Sequence, residues 1–294
     1  MDIHVLSYGL GNQLSQYAFF INRRQLMQRA YAFYAFKQHN GYELDRIFGL
    51  KEGLPWYLQF VRVVFRLGIS RRFYSKRTAD FVLSLFRIKV IDEAYNYEFD
   101  PSLLKPWFGI RILYGGWHDS RYFHPSEAAV RTAFSFPPLD DVNDAILQQI
   151  DAVYGVSIHV RRGDYLKGIN SNLFGGIATL EYYRNAIGWA ITYCKHRSLE
   201  IKFYVFSDDI DWCKQNLGLR DAVYVSGNSK TDSWKDILLM SHCRANIIAN
   251  STFSWWAAWL NQQPNKVVIC PTKFINTDSP NQTIYPAAWH QIEG

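Results

Sequence analysis

A chain of 294 residues, 48% hydrophobic and 20% charged, exceeds one average domain and fits two compact halves that can each bury a core. Its net charge of +6 suits an anionic ligand or an anionic membrane surface. Without a Lys/Arg block or an RNA-binding aromatic signature, that charge excludes nucleic acid as the expected partner. The four cysteines, Cys194, Cys213, Cys243 and Cys270, form no C-x-x-C pair, sit in apolar patterns and read as reduced core thiols.

In chain order, Asp2-Ile3-His4-Val5-Leu6-Ser7 reads as part of a strand over 2–8, followed by a glycine turn, Tyr8-Gly9-Leu10-Gly11-Asn12-Gln13, and a helix over 12–29. Strand, glycine turn, helix is a nucleotide-site layout, because backbone N–H groups at a helix start attract phosphate. The turn lacks the full dinucleotide spacing and a P-loop Lys-Ser/Thr, so an ordinary helix start capped by Asn12 stands beside that reading. A strand at 30–36, an irregular stretch, an aromatic and basic helix over 55–67 and a strand near 110–114 follow. The 55–67 helix, with Arg71, Arg72, Lys76 and Arg77 after it, has the composition of an interfacial membrane helix and equally of a core helix with snorkelling arginines. Pro137-Pro138, followed by Leu139-Asp140-Asp141, marks the hinge between a lobe at 1–140 and a lobe at 141–294.

The second half alternates regularly: strand 153–160, helix 180–194, strand 201–206, helix 209–217, strand 222–225, helix 233–243, strand 245–249, helix 253–262 and strand 266–270. Continuous apolar strands alternating with helices predict a parallel sheet covered by helices. Its ligand site lies at the carboxyl ends of the strands, where Arg161, Ser207, Asp208, Asp209, Asn250 and Ser251 all fall. The segment Val156 to Tyr165 places His159 and Arg161 on one face of a strand and turns at Gly163. A guanidinium is a planar, permanently charged fork matched to phosphate oxygens. The competing reading is an ion-pair cluster, with Asp164 neutralising an arginine and nothing bound. In Asn246 to Leu260, Ser251, Thr252 and Ser254 stand where strand becomes helix and serve as helix caps or nucleotide contacts, while Trp255, Trp256 and Trp259 are core.

These segments, in this order, resemble the bacterial α-1,2-fucosyltransferases, inverting and metal-independent enzymes that use GDP-fucose. The resemblance spans nearly the whole chain. It rests on Gly-Leu-Gly-Asn-Gln at 9–13, Gly-Gly-Trp-His-Asp-Ser-Arg-Tyr-Phe at 115–123 and His-Val-Arg-Arg-Gly-Asp-Tyr at 159–165. Phe-Ser-Asp-Asp at 206–209, Asp-Ile-Leu-Leu-Met-Ser at 236–241 and Asn-Ser-Thr-Phe-Ser-Trp-Trp at 250–256 complete it. Three departures stand out: Tyr8 where a glycine is usual, Leu14-Ser15 for a common Met-Phe, and His118 at a position often held by Gln.

The resemblance implies an α/β fold of two Rossmann-like lobes facing a cleft, the GT-B architecture. It implies transfer of L-fucose from GDP-fucose to the 2-hydroxyl of a galactose residue in a glycan, in surface polysaccharide biosynthesis, with a lipid-linked acceptor as the expectation. Arg161 is then the first choice for the β-phosphate, with the N–H groups of Gly11 and Asn12 opposite it. Gln13 and Arg162 join the donor site, and His159 and one carboxylate of Asp208 and Asp209 contact the guanosine. Asn250, Ser251, Thr252 and Phe253 line the nucleotide pocket with Ser207.

No metal is expected: Asp209-Ile210-Asp211 matches a D-x-D metal motif, but Asp211 begins a helix, where acids are favoured anyway, and the arginines already supply the charge. Asp164 is either the positioner of the arginines or the general base, and Asn12 could orient the acceptor hydroxyl. A fucosyltransferase of another linkage and a non-catalytic nucleotide- or glycan-binding module are the alternatives. The opening strand, with no leader before it and no apolar run long enough to span a bilayer, points to the cytoplasm, with peripheral contact at the membrane's inner face. In such a setting the sequons at Asn250 and Asn281 carry no glycan.

Overall fold

The computed structural model describes residues 1–36, 39–69, 76–277 and 284–294. Arg71 and Arg72 of the basic run, and the sequon at Asn281, lie outside the described residues. The chain divides into two compact units, Met1–Ser135 and Phe136–Gly294.

The first unit contains β1 (Asp2–Leu6), α1 (Leu10–Met27), β2 (Ala30–Tyr34), α2 (Glu43–Phe48), α3 (Phe60–Ile69), α4 (Lys76–Leu85), β3 (Ile88–Asp92), β4 (Ile110–Tyr114) and α5 (Glu127–Ala133). Its strands form a parallel sheet in the order β2-β1-β4-β3. β1 is buried along its whole length, as a central strand covered on both faces must be. Ile3, Val5, Phe33, Val61, Phe65 and Ile112 share one apolar cluster, and each buried side chain of this size contributes about 1.5–3 kcal/mol. At the amino end of the sheet the buried carboxylate of Asp2 accepts from Arg23 Nε at 2.6 Å and from Arg111 Nε and Nη2 at 2.8 Å.

The expected helix at 55–67 is a single 3₁₀ turn, Trp56–Leu58, followed by α3. Its inner face (Leu58, Val61, Phe65) is core, and Arg62 lies over the Phe33 ring at 4.9 Å. Its outer face leaves Trp56 87% exposed, with Phe60 and Val63 also exposed.

The second unit contains α6 (Asp141–Asp151), β5 (Tyr154–Val160), α7 (Gly168–Phe174), α8 (Leu180–Lys195), β6 (Ile201–Ser207), α9 (Ile210–Asn216), β7 (Val223–Val225), α10 (Trp234–His242), β8 (Ala245–Ile247), α11 (Thr252–Leu260), β9 (Val267–Pro271) and β10 (His290–Ile292). The expected alternation is present, in a parallel sheet of order β10-β9-β8-β5-β6-β7. The α/β class with parallel sheets therefore holds in both units. Trp255, Trp256 and Trp259 are core, and all four cysteines are free and buried. Asp140, which lies within the second unit, caps α6, its side chain accepting from Asn143 N–H at 3.0 Å.

Strand order locates the crevices. From β5 the second sheet runs through β6 and β7 one way and through β8, β9 and β10 the other, so its topological switch point lies between β5 and β8. In the first sheet the reversal falls between β1 and β4.

Candidate functional site

At the β5/β8 switch point the sequence-expected residues of the second unit come together. β5 buries Val156, Ile158 and Val160 against Tyr182, Tyr183 and Ala186 of α8, and ends just before the two arginines. Arg161 Nη2 lies 2.8 Å from Asp164 Oδ1, and its Nη1 lies 3.1 Å from Asp208 Oδ2. Arg162 donates from Nε to Asp209 Oδ2 at 3.1 Å, stacks over Trp212 at 4.0 Å, and gives its backbone N–H to Asp208 Oδ1 at 2.9 Å. Asp208 thus ties the end of β6 to the turn after β5. Gly163 is required by that approach, since a Cβ there would sit 2.6 Å from Asp208 Oδ2. Arg161 stays about one-third exposed, with its fork held on both sides by carboxylates.

Across the crevice, the His159 and Phe253 rings are 5.5 Å apart. Burial, with Arg161 adding to it, lowers His159 to about 3, so its ring is neutral; the buried Nδ1 has no hydrogen-bond partner among the described residues. Tyr165 joins the two sides, donating to Asn250 O at 3.1 Å while stacking on Phe174. Ser251 caps α11 through Phe253 N–H, and Thr252 and Phe253 are partly exposed at the start of that helix. Asn250 is reassigned. It is buried, and its amide donates to Phe174 O and Phe274 O, so it braces loops rather than lining a pocket. Ser207 accepts from Asp209 N–H at 2.9 Å, and Asp209 Oδ1 caps α9 through Trp212 N–H. Asp164 has its other oxygen 3.2 Å from Asn170 Nδ2.

In the first unit the glycine turn ends β1 as expected, but Asn12 is not the cap. α1 begins at Leu10 with Gly9 as its cap residue, and Gly9 O accepts from both Asn12 N–H (3.0 Å) and Gln13 N–H (3.1 Å). The Asn12 backbone donor is therefore spent inside the helix, and the Gly11 N–H belongs to the orphan donors of the first turn. Gln13 is also reassigned: fully buried, it donates to Tyr8 O and Gly41 O and accepts from Glu43 N–H, fastening the turn to the segment before α2. Tyr8 has φ +66°, the left-handed region in which glycine is at ease. That is the physical reason for the glycine common in the resembling family.

Facing this turn, the loop after β4 carries Gly115, Gly116, Trp117 and His118. Glu93 Oε2 accepts from Gly116 N–H (2.6 Å) and Trp117 N–H (3.0 Å), and a Cβ on Gly115 would sit 2.5 Å from Glu93 Cβ. Burial raises the Glu93 carboxyl to about 8 despite these two hydrogen bonds. Asp119 is buried and paired with Arg121.

Residues 110–293 match the family model described as Glycosyl transferase family 11. The chain belongs to glycosyl transferase family 11. It is 31% identical over 305 residues to an alpha-1,2-colitosyltransferase of Escherichia coli, covering 98% of this chain and 97% of that one. To the O-antigen biosynthesis glycosyltransferase WbnK of Escherichia coli it is 30% identical over 296 residues, covering 92% and 93%. Among solved structures, the fucosyltransferase NodZ from Bradyrhizobium aligns with a TM-score of 0.47 at 16% identity, over 87% of this chain and 91% of that one.

Two carboxyl groups of this family 11 glycosyl transferase that the sequence-based site does not include are raised by burial, Glu93 and Asp236. Glu93 carries no motif around it. Asp236 heads a motif stretch, yet only the structure shows its carboxyl partly buried, accepting from Asn228 Nδ2 at 2.8 Å and raised by desolvation to about 7. Among the described residues no helix is long and apolar enough to cross a membrane.

Proposed function

We propose that the protein transfers L-fucose from GDP-β-L-fucose, with inversion and without a metal, to the 2-hydroxyl of a galactose residue during surface polysaccharide assembly. The observation that carries this reading is Arg161, a guanidinium held by two carboxylates at the switch point of a parallel sheet, where anionic ligands of such sheets bind. The α-1,2 linkage in one relative's name and the O-antigen role in another's support the rest.

As the acceptor oxygen attacks the anomeric carbon, the bond to GDP breaks, negative charge builds on the diphosphate, and the hydroxyl proton leaves to Asp164 or to water. Arg161, still about one-third exposed beside its two carboxylates, is the cation that meets that charge as it builds. In the first unit taken by itself, the Gly11 N–H and the partly exposed Asn12 at the start of α1 are the groups offered to substrate, Asn12 to the acceptor hydroxyl. Asp164 and Asp208 fix the guanidinium plane. His159, neutral and against Phe253, joins Thr252 in holding the nucleoside. No cofactor is involved.

Incubation with GDP-fucose and a panel of galactosides, read by product mass and linkage, is the test. A fucosyl-α-1,2-galactose product is expected. Another linkage would correct the acceptor position, and transfer only from GDP-colitose would correct the donor. GDP binding without transfer or donor hydrolysis would leave a binding module.

The outer face of α3 supports peripheral contact with an anionic membrane, where a lipid-linked acceptor would be met. Trp56, Phe60 and Val63 are exposed beside Arg66, the mixture interfacial helices use. Co-sedimentation with anionic vesicles should fall when Trp56 and Phe60 are changed to Ser; unchanged binding would reject the contact.

A further inference from the structure

We propose that Tyr8 and Tyr114 form a saccharide subsite that selects the acceptor, an inference that rests on the transferase reading above. Tyr8 follows β1 and Tyr114 is the last residue of β4, so the pair sits at the switch point of the first sheet, at the carboxyl ends of its strands. Their hydroxyl oxygens are 2.9 Å apart. Two phenols sharing one hydrogen bond keep one O–H proton and several lone pairs for a ligand. Register places Asp92, the last residue of β3, directly beside Tyr114, and the exposed ring of Tyr95 follows. Asp92 Oδ1 accepts from Ala94 N–H, which holds the carboxylate at the loop start. Phenol donors, a carboxylate acceptor and accessible ring faces are the groups that recognise the hydroxyls and C–H face of a neutral hexose, here a galactoside.

Tyr8 is not a core residue that happens to lie here. Its side chain is 38% exposed, and a surface hydroxyl pair adds little to folding. It is held at φ +66°, where a residue with a Cβ costs about 1–2 kcal/mol relative to glycine. The chain keeps a strained, bulky, hydroxyl-bearing residue where a glycine would be relaxed, and strain of this kind persists at ligand sites.

Saturation-transfer NMR with lactose on the full chain tests the subsite without needing turnover, with GDP affinity measured by calorimetry on the same samples. Tyr8→Phe, which keeps the ring and the backbone, should weaken lactose about three- to tenfold, the effect of one lost hydrogen bond. Tyr114→Phe should do the same, and the double variant should lose less than the product of the two, because the hydroxyls act as a pair. Lactose binding unchanged in both single variants overturns the proposal. So does a wild type that binds no galactoside, or a loss of GDP affinity as large as the loss of lactose affinity. Lactose binding that depends on Tyr8, in a wild type that transfers no fucose, would instead sink the fucose-transfer reading and leave the subsite standing.

Discussion

Ser15 and His118, two positions at which this chain departs from the resembling family, touch: the Ser15 hydroxyl lies 2.9 Å from His118 Nδ1. The same hydroxyl lies 3.3 Å from Gly11 O, so Ser15 bridges the imidazole to the first turn of α1. Both side chains are buried, and burial lowers His118 to about 3, which keeps the ring neutral. The departures at 15 and at 118 thus meet in one contact, which joins the loop after β4 to the glycine turn after β1. Ser15→Ala should cost about 1–3 kcal/mol, since it removes a partner of a buried polar ring. A double-mutant cycle with His118→Ala, read by urea unfolding, should show coupling of about 0.5 kcal/mol or more; additive losses would mean the contact is incidental.

The Asp2, Arg23 and Arg111 cluster fixes the amino end of the first sheet. Asp2 and Arg23 are fully buried and Arg111 nearly so, and Asp2 is the carboxylate both guanidiniums share. Asp2→Ala would leave two buried cations facing each other without their anion. A loss of about 3–5 kcal/mol is expected, because breaking a buried pair strands an uncompensated charge. Thermal unfolding of Asp2→Ala checks this, and a melting temperature close to wild type would show that water or a rearranged neighbour replaces the carboxylate.

Glu93 makes stability depend on pH. Burial raises it from 4.5 to about 8, so between these values the folded chain holds a proton that the unfolded chain has released. The sign follows directly. The contribution is complete below the unfolded value, declines as pH rises through the window, and is lost above about 8. Asp236, raised by burial from 3.8 to about 7, acts in the same direction. Glu93→Gln retains an acceptor for the Gly116 and Trp117 N–H groups and cannot ionise. The fall in melting temperature from about pH 5 to about pH 8 should be shallower in this variant than in wild type, and identical slopes would remove Glu93 as the cause.

How much of this was legible in the sequence differs between the units for a physical reason. β5, β6, β8 and β9 are covered on both faces, so each is written as an apolar run with helices between, and the convergence of Arg161, Asp208 and Ser251 could be read from strand ends alone. β3 is an edge strand whose buried and exposed positions do not alternate cleanly, and β10 is three residues long with two exposed; neither leaves a periodic mark. Gln13 and Asn250 lie inside motifs and look like ligand contacts. Their amides instead reach backbone groups 28 and 76 residues away, pairings no local pattern contains. The left-handed backbone of Tyr8 is likewise absent from any local pattern, although the usual glycine hints at it.

Arg161→Lys is the sharpest test of the phosphate role. The guanidinium meets Asp164 through Nη2 and Asp208 through Nη1, and an ammonium keeps the charge while losing the planar fork that those two carboxylates orient. Loss of one charge-assisted contact in the transition state, worth about 1.5 kcal/mol or more, should lower the transfer rate at least about tenfold. An unaffected rate would remove Arg161 from the mechanism. The same assay in excess EDTA should keep its full rate, because guanidinium charge is asked to do what a divalent ion would otherwise do at the leaving diphosphate. Asp209 already divides its oxygens between Trp212 N–H and Arg162, which leaves it poorly placed to bind an ion with Asp211. Complete loss of activity in EDTA, restored by Mn²⁺, would transfer the neutralising role from Arg161 to a metal held by those aspartates.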